Sequence, residues 1–166
     1  MDDTIEDLLI TWTKWLNFEY GLQVDYKKIN RWEISYFFPS LTKEELYGPL
    51  HDSEFWKYVT PKKDAIIILE KLNKEHDIFI CTNSVHTIDS LDSKINNTLL
   101  SNFPYLIKDQ LIITSKKQLI KADYLIDDYE KNLIGGSYQG ILFDMPHNKS
   151  FNNELFSNAL NIFSLT

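Results

Sequence analysis

The strongest constraint on this chain is a pattern that returns four times after residue 77: a short apolar run that stops abruptly at polar residues. Ile78-Phe79-Ile80-Cys81 runs into Thr82-Asn83-Ser84, Leu111-Ile112-Ile113 into Thr114-Ser115-Lys116-Lys117, Tyr124-Leu125-Ile126 into Asp127-Asp128, and Ile141-Leu142-Phe143 into Asp144. Short runs that are apolar throughout, separated by helical or polar stretches, are expected of strands in a parallel sheet covered on both faces. The fold class is therefore α/β, a doubly wound parallel sheet. In such a sheet the polar stops all fall at the carboxyl ends of the strands, on the one rim where these folds bind ligands.

Ahead of the strands, Ile5, Leu8, Leu9, Trp12, Trp15 and Leu16 follow helical spacing, and Gly21 stands in the stop position of an amphipathic helix. From Leu22 to Thr60 the texture changes. The segment is rich in aromatics, among them Trp32, Phe37, Phe38, Phe55 and Trp56, and is broken by Pro39, Gly48 and Pro49. It reads as short helices forming an insertion, so that 1–21 and 61–166 make the core and 22–60 a small helical cap. Pro61 is expected in the first turn of the next helix, with Ala65 to Leu72 as its buried face. Gly135-Gly136 is expected to end a helix that begins after Tyr129.

Composition removes several function classes. With 24 acidic against 17 basic residues, a net charge of −7, the chain offers no nucleic-acid groove. Its apolar runs of about five residues cannot span a membrane. The acidic start, Met1-Asp2-Asp3-Thr4-Ile5-Glu6-Asp7, is unlike a signal peptide. A single cysteine, Cys81, excludes a disulfide framework or a cysteine-cluster metal site; it reads as a small hydrophobe in a reducing, cytoplasmic setting.

Hydroxyl, lysine and paired carboxylates on one rim point to a phosphate held beside a hard divalent cation. Thr82 and the amides after it, at Asn83 and Ser84, can donate to phosphate oxygens, a lysine adds a point charge, and carboxylates hold Mg²⁺ with waters left in place. No glycine-rich phosphate loop is present. Asp127-Asp128 is the most telling pair, because adjacent carboxylates repel unless a cation or donors face them. The residues by themselves do not choose between Lys116 and Lys117. Asp2-Asp3-Thr4 alone also suits a helix N-terminus, whose dipole favours acidic side chains. His51 and His76 read as surface residues; His86 and His147 follow strand ends without a zinc spacing.

Taken in order, Asp2-Asp3-Thr4, Thr82, Lys117 and Asp127-Asp128 resemble the haloacid dehalogenase superfamily of aspartate-based phosphatases, whose first motif reads Asp-x-Asp-x-Thr or Val. Ala122-Asp123-Tyr124-Leu125-Ile126-Asp127-Asp128, with Gly140 to Phe143 and Pro146-His147-Asn148, is similar to the 5′(3′)-deoxyribonucleotidases, and Lys117, six residues before Asp123, fits that family's spacing. The resemblance implies a Rossmann-like core of haloacid dehalogenase type with a small cap inserted after the first helix. It also implies a Mg²⁺-dependent phosphomonoesterase for nucleoside monophosphates.

Carried over residue by residue, Asp2 is the general acid and later base, its backbone carbonyl also touching Mg²⁺. Thr82 and Lys117 bind the phosphoryl group, with Asn83 and Ser84 adding contacts; Asp128 ligates the metal and Asp127 orients it or a bound water. Trp32 is the choice for a base contact, while Leu8, which the family can turn to the base, reads as core. The family's nucleophile stands two residues before the acid, immediately ahead of Met1, on the first and central strand. The motif is therefore expected to read Asp-Met-Asp-Asp-Thr, with the start of the protein lying upstream. Two other readings stay open: a non-catalytic nucleotide- or phosphate-binding relative without the nucleophile, and a phosphatase for sugar phosphates whose cap sets the substrate.

Overall fold

A computed structural model of the chain describes residues 1–83 and 88–149. It opens with a single helical turn, α1 (Asp2–Ile5), after which Glu6 bridges Pro61 in antiparallel fashion. Asp7 N–H donates to the Thr60 carbonyl at 2.8 Å and Lys62 N–H to that of Ile5 at 2.9 Å. These bonds staple the chain just before α2 to the chain around Pro61. Neither bond uses a Pro61 N–H, which is why proline is tolerated in the bridge. The expected place of Pro61 in a helix is thus corrected: the helix starts at Ala65.

α2 (Leu8–Tyr20) ends at Gly21, whose φ of 64° is the left-handed value that glycine takes without strain. Residues 22–60 hold α3 (Lys43–Tyr47), opened by a capping box between Thr42 and Glu45, and α4 (Ser53–Trp56), capped by Asp52. α5 (Ala65–Glu75) buries Ala65 and Leu69 and leaves Ile66 and Ile67 exposed.

β1 (Ile80–Thr82) pairs in parallel with β2 (Leu111–Ile113), Ile80 opposite Leu111 and Thr82 opposite Ile113. Between them lie α6 (Ile88–Ser93), a π-helical turn over Lys94–Leu99, and α7 (Leu100–Asn102). β3 (Tyr124–Asp127) pairs in parallel with β4 (Gln139–Leu142), Asp127 opposite Leu142. Parallel pairing is as expected. A single doubly wound sheet is not what the described residues form: they make two two-stranded ladders, and no described strand joins β1 to β3.

The helix expected after Tyr129 is also corrected, to a short 3₁₀ turn over Glu130–Leu133. Asp127 Oδ1 accepts from Tyr129 N–H at 2.9 Å and from Asn132 Nδ2 at 3.0 Å, and this local side-chain bonding competes with helix formation.

Two apolar cores result. Leu9, Trp12 and Leu16 of α2 form one core with Ile29, Phe38, Leu46, Leu50, Phe55 and Trp56, and Met145 joins them from beyond β4. The buried indole N–H groups of Trp12 and Trp56 donate to the carbonyls of Leu46 and Leu50. Met1, Ile5, Ala65, Leu69, Ile80, Ile95, Leu99, Phe103 and Leu106 form the second core, beneath β1. Among the described residues no helix is long and apolar enough to cross a membrane.

Candidate functional site

The carboxyl ends of β1 and β3 carry the polar residues that the sequence pattern assigned to one rim. Thr82 closes β1 with its side chain buried, and its hydroxyl donates to the Asn83 carbonyl at 3.3 Å. Asn83 is exposed, and Ser84 and His86 lie outside the described residues.

Lys94 reaches this strand end from the other side of α6. Only 4% of its side chain is exposed; its Nζ lies 2.8 Å from Asp2 Oδ1 and 2.9 Å from Oδ2, and donates to the Asn83 carbonyl at 2.7 Å. The ammonium also sits 5.3 Å from the centre of the Trp56 ring. One lysine thereby ties Asp2 to the loop after β1. Burial alone would lift the Asp2 carboxyl, but Lys94, helped by Lys117, holds it below the usual carboxylate range.

The other strand end is charged in itself. Asp127 is buried and ion-paired with Lys117, and it accepts the two bonds from Tyr129 and Asn132 already described. Burial opposes the charge on Lys117, yet Asp127 raises its pKa above the ordinary lysine value. Lys116 takes no part in this pair; its N–H donates to Thr114 Oγ1. Asp128, also buried, lies with Oδ2 at 3.0 Å from His147 Nε2. Its backbone carbonyl accepts from Asn148 Nδ2 at 2.8 Å, and Asn148 donates as well to the Phe143 carbonyl at 2.7 Å. The turn after β4 therefore braces Asp128 by side chain and backbone together. Although burial opposes it, the Asp128 carboxylate raises the pKa of His147 above its ordinary value.

Two further acids close the site from the N-terminal turn. Asp3 is buried and accepts from Leu9 N–H at 2.9 Å; burial and then the charge on Asp128 push it up to about 7. Glu6 is fully buried, neither of its carboxylate oxygens has a hydrogen-bond partner among the described residues, and burial followed by the charge on Asp2 pushes it up to about 8. The thiol of Cys81 is pushed up by burial, which suits a packed hydrophobe and not a nucleophile.

Asp2, Thr82, Asn83, Lys117, Asp127 and Asp128 are thus gathered on one rim. Trp32, 52% exposed, stands at its edge, stacked on Tyr129 and edge-on to His147. Lys94, His147 as a partner of Asp128, Glu6 and Tyr129 are the site residues that sequence reasoning missed. Lys94 and Glu6 carried no motif, whereas the position of His147 just after a strand end was a usable signal.

The donor set suits Mg²⁺ in kind: hard carboxylate and carbonyl oxygens, with Asp3 and Asp128 repelling one another in a buried setting that a cation would relieve. Among the described residues no group of three or more His, Cys, Asp or Glu is arranged to hold a metal unaided. A metal bound through one or two carboxylates and several waters, the usual habit of Mg²⁺, fits that arrangement. The Asp2 carbonyl, the second expected contact, accepts Glu6 N–H at 3.0 Å.

Comparison with known proteins gives a consistent picture. A family model described as 5′ nucleotidase, deoxy (Pyrimidine), cytosolic type C protein matches residues 1–160. A 5′(3′)-deoxyribonucleotidase of Bacillus subtilis (strain 168) is 28% identical over 152 residues, covering 92% of this chain and 86% of the relative. A protein of the same name from Bacillus phage SPbeta matches to the same extent.

Proposed function

From the premise that the chain belongs to the type C 5′-nucleotidase family, within the haloacid dehalogenase superfamily, we propose that it is a phosphomonoesterase acting on deoxynucleoside monophosphates in the cytoplasm. The observation that supports this reading is the pairing of Asp2 with Lys94, which also holds the carbonyl after Thr82, together with Lys117 near enough to acidify Asp2 and Asp128 near enough to raise Asp3. The insertion at 22–60 serves as the cap that selects the substrate.

In this reading Thr82, the Asn83 amide and Lys117 receive the phosphoryl oxygens and offset the charge that spreads over them during transfer. The reading requires an attacking carboxylate two residues before Asp2, the place of the nucleophile in the Asp-x-Asp pattern, which would take the phosphoryl group as an aspartyl-phosphate. Asp2 protonates the departing nucleoside oxygen and afterwards draws a proton from the hydrolytic water. At rest Lys94 keeps Asp2 ionised; a phosphate dianion drawn into the site opposes that charge and favours the protonated, acid form. Asp128, held by His147, and the Asp2 carbonyl would hold Mg²⁺, which supplies charge neutralisation at the phosphate when bound. Asp127 fixes Lys117 and the turn behind Asp128.

Translation in frame upstream of Met1 should read an apolar run ending in aspartate. The protein carrying it should hydrolyse deoxynucleoside 5′-monophosphates with Mg²⁺ and fail in EDTA, and Asp128→Ala should lose on the order of 10²-fold or more in turnover. A stop codon or unrelated sequence upstream would sink the covalent mechanism. Faster hydrolysis of sugar phosphates than of nucleotides would reassign the substrate.

A further inference from the structure

Trp32 belongs to the insertion, and Tyr129 follows Asp128 directly in the core. Their rings stack with centroids 3.9 Å apart and planes 18° from parallel. His147 approaches the Trp32 ring edge-on at 5.3 Å and at the same time lies 3.0 Å from Asp128 Oδ2. The stack therefore stands on the shoulder of the carboxylate at the centre of the site. Trp32 nonetheless keeps 52% of its surface exposed. Tyr129, the residue after Asp128, covers one face of the Trp32 ring.

Two stacked rings admit a third between them only at about twice the contact distance, roughly 7 Å. At 3.9 Å the gap is closed. A substrate whose phosphate is held beside Asp128 has its sugar and base within a few bonds of that anchor, and the covered face of Trp32 is the one that packs on the residue following Asp128. The Tyr129 ring is itself held in place: its backbone N–H donates to Asp127 Oδ1, and the Lys131 ammonium lies 5.7 Å from its centroid.

We propose that Tyr129 is a specificity-determining residue: its ring occupies the face of Trp32 on which a planar, nucleobase-like ring would stack, so that base binding and the Trp32–Tyr129 stack exclude one another. The proposal rests on the reading of the rim as a nucleoside monophosphate site. Each base that binds must displace Tyr129, and its affinity is reduced by the stacking it breaks. A phosphate ester without a ring meets no such competition.

The test compares the native chain with Tyr129→Ala and Tyr129→Phe by calorimetric titration in EDTA, where nothing turns over, using a deoxynucleoside 5′-monophosphate, its parent nucleoside and inorganic phosphate. Tyr129→Ala should bind the nucleotide and the nucleoside roughly three- to tenfold more tightly, the worth of one stacked pair, with phosphate affinity unchanged. Tyr129→Phe should show no such gain, because the ring and not the hydroxyl does the blocking. Unchanged or weaker nucleotide and nucleoside binding in Tyr129→Ala overturns the proposal. Should Tyr129→Ala fail to melt cooperatively, Tyr129→Leu, which keeps bulk without a ring, makes the same comparison. A gain for the nucleoside with no phosphate binding in any variant would support the role of Tyr129 while refuting the phosphate site.

Discussion

The rim has two halves that bury charge by different means. At the end of β1 the strand itself supplies only neutral groups, Thr82 and Asn83, and the charge arrives from outside: Lys94 from beyond α6, Asp2 and Glu6 from the N-terminal turn. At the end of β3 the charge is in the strand, Asp127 and Asp128, and each carboxylate has a dedicated partner, Lys117 and His147. The difference lies in how completely each half is satisfied. Asp127 has Lys117, Tyr129 N–H and Asn132 around it, whereas among the described residues neither Glu6 oxygen has a hydrogen-bond partner, and Asp2 keeps about a third of its side chain, 34%, in contact with solvent. A fully partnered, buried carboxylate loses most when a partner is removed; a half-exposed one loses less.

That contrast is broken most sharply at Lys117. Replacing it by methionine keeps the volume and strands Asp127 in a buried site, which should cost about 3–5 kcal/mol at pH 7 in urea unfolding. A loss below about 1 kcal/mol would mean that the bonds from Tyr129 and Asn132 satisfy Asp127 unaided. On the other half, Glu6→Gln should act in the opposite direction. The folded pKa of Glu6, about 8, lies above the unfolded value near 4.5, so stability is full below pH 4.5 and falls as pH rises toward 8. The amide removes that loss, and the variant should gain roughly 4 kcal/mol over the parent at pH 8 and almost nothing at pH 4. Unfolding curves that shift equally at both pH values would show that Glu6 stays ionised in the fold.

The β3 half of the rim was legible in the sequence because its logic is local. Two adjacent carboxylates after an apolar strand demand partners wherever they occur, and the resemblance to the deoxyribonucleotidase family, which places a lysine six residues before Asp123, singled out Lys117 where the residues alone did not. The β1 half was not, because its members meet only through the fold. Lys94 sits between Ser93 and Ile95 in a stretch that reads as an ordinary helix, and it is the π-helical turn beginning at Lys94 that accompanies its burial against Asp2. Glu6 looks like one more acid in an acidic start; its burial comes from a bridge to Pro61, far along the chain. The parallel pairing was foreseen from apolar runs, while the turn after Tyr129 defeated a helical reading because Asp127 bonds to the backbone two residues on.

The smallest expected effect is at Lys94, and its pH dependence separates the two halves most finely. Lys94→Met retains an apolar stem against the Trp56 ring, so what is removed is the ammonium between Asp2 and the Asn83 carbonyl. In the parent, the depressed pKa of Asp2 stabilises the fold above the unfolded carboxylate range and ceases to do so as pH falls through the folded value. Without Lys94, burial dominates and Asp2 moves upward instead, so the variant should be less stable than the parent by about 1–2 kcal/mol at pH 7, discounted for the exposure of Asp2. The two proteins should converge as pH falls to about 3, where Asp2 is protonated in the variant and largely so when unfolded. Urea unfolding at pH 7 and pH 3 measures both. A deficit that is the same at the two pH values would locate the role of Lys94 in its bond to the Asn83 carbonyl, and the β1 half of the rim would then be held by a backbone contact, with its charge incidental to the fold.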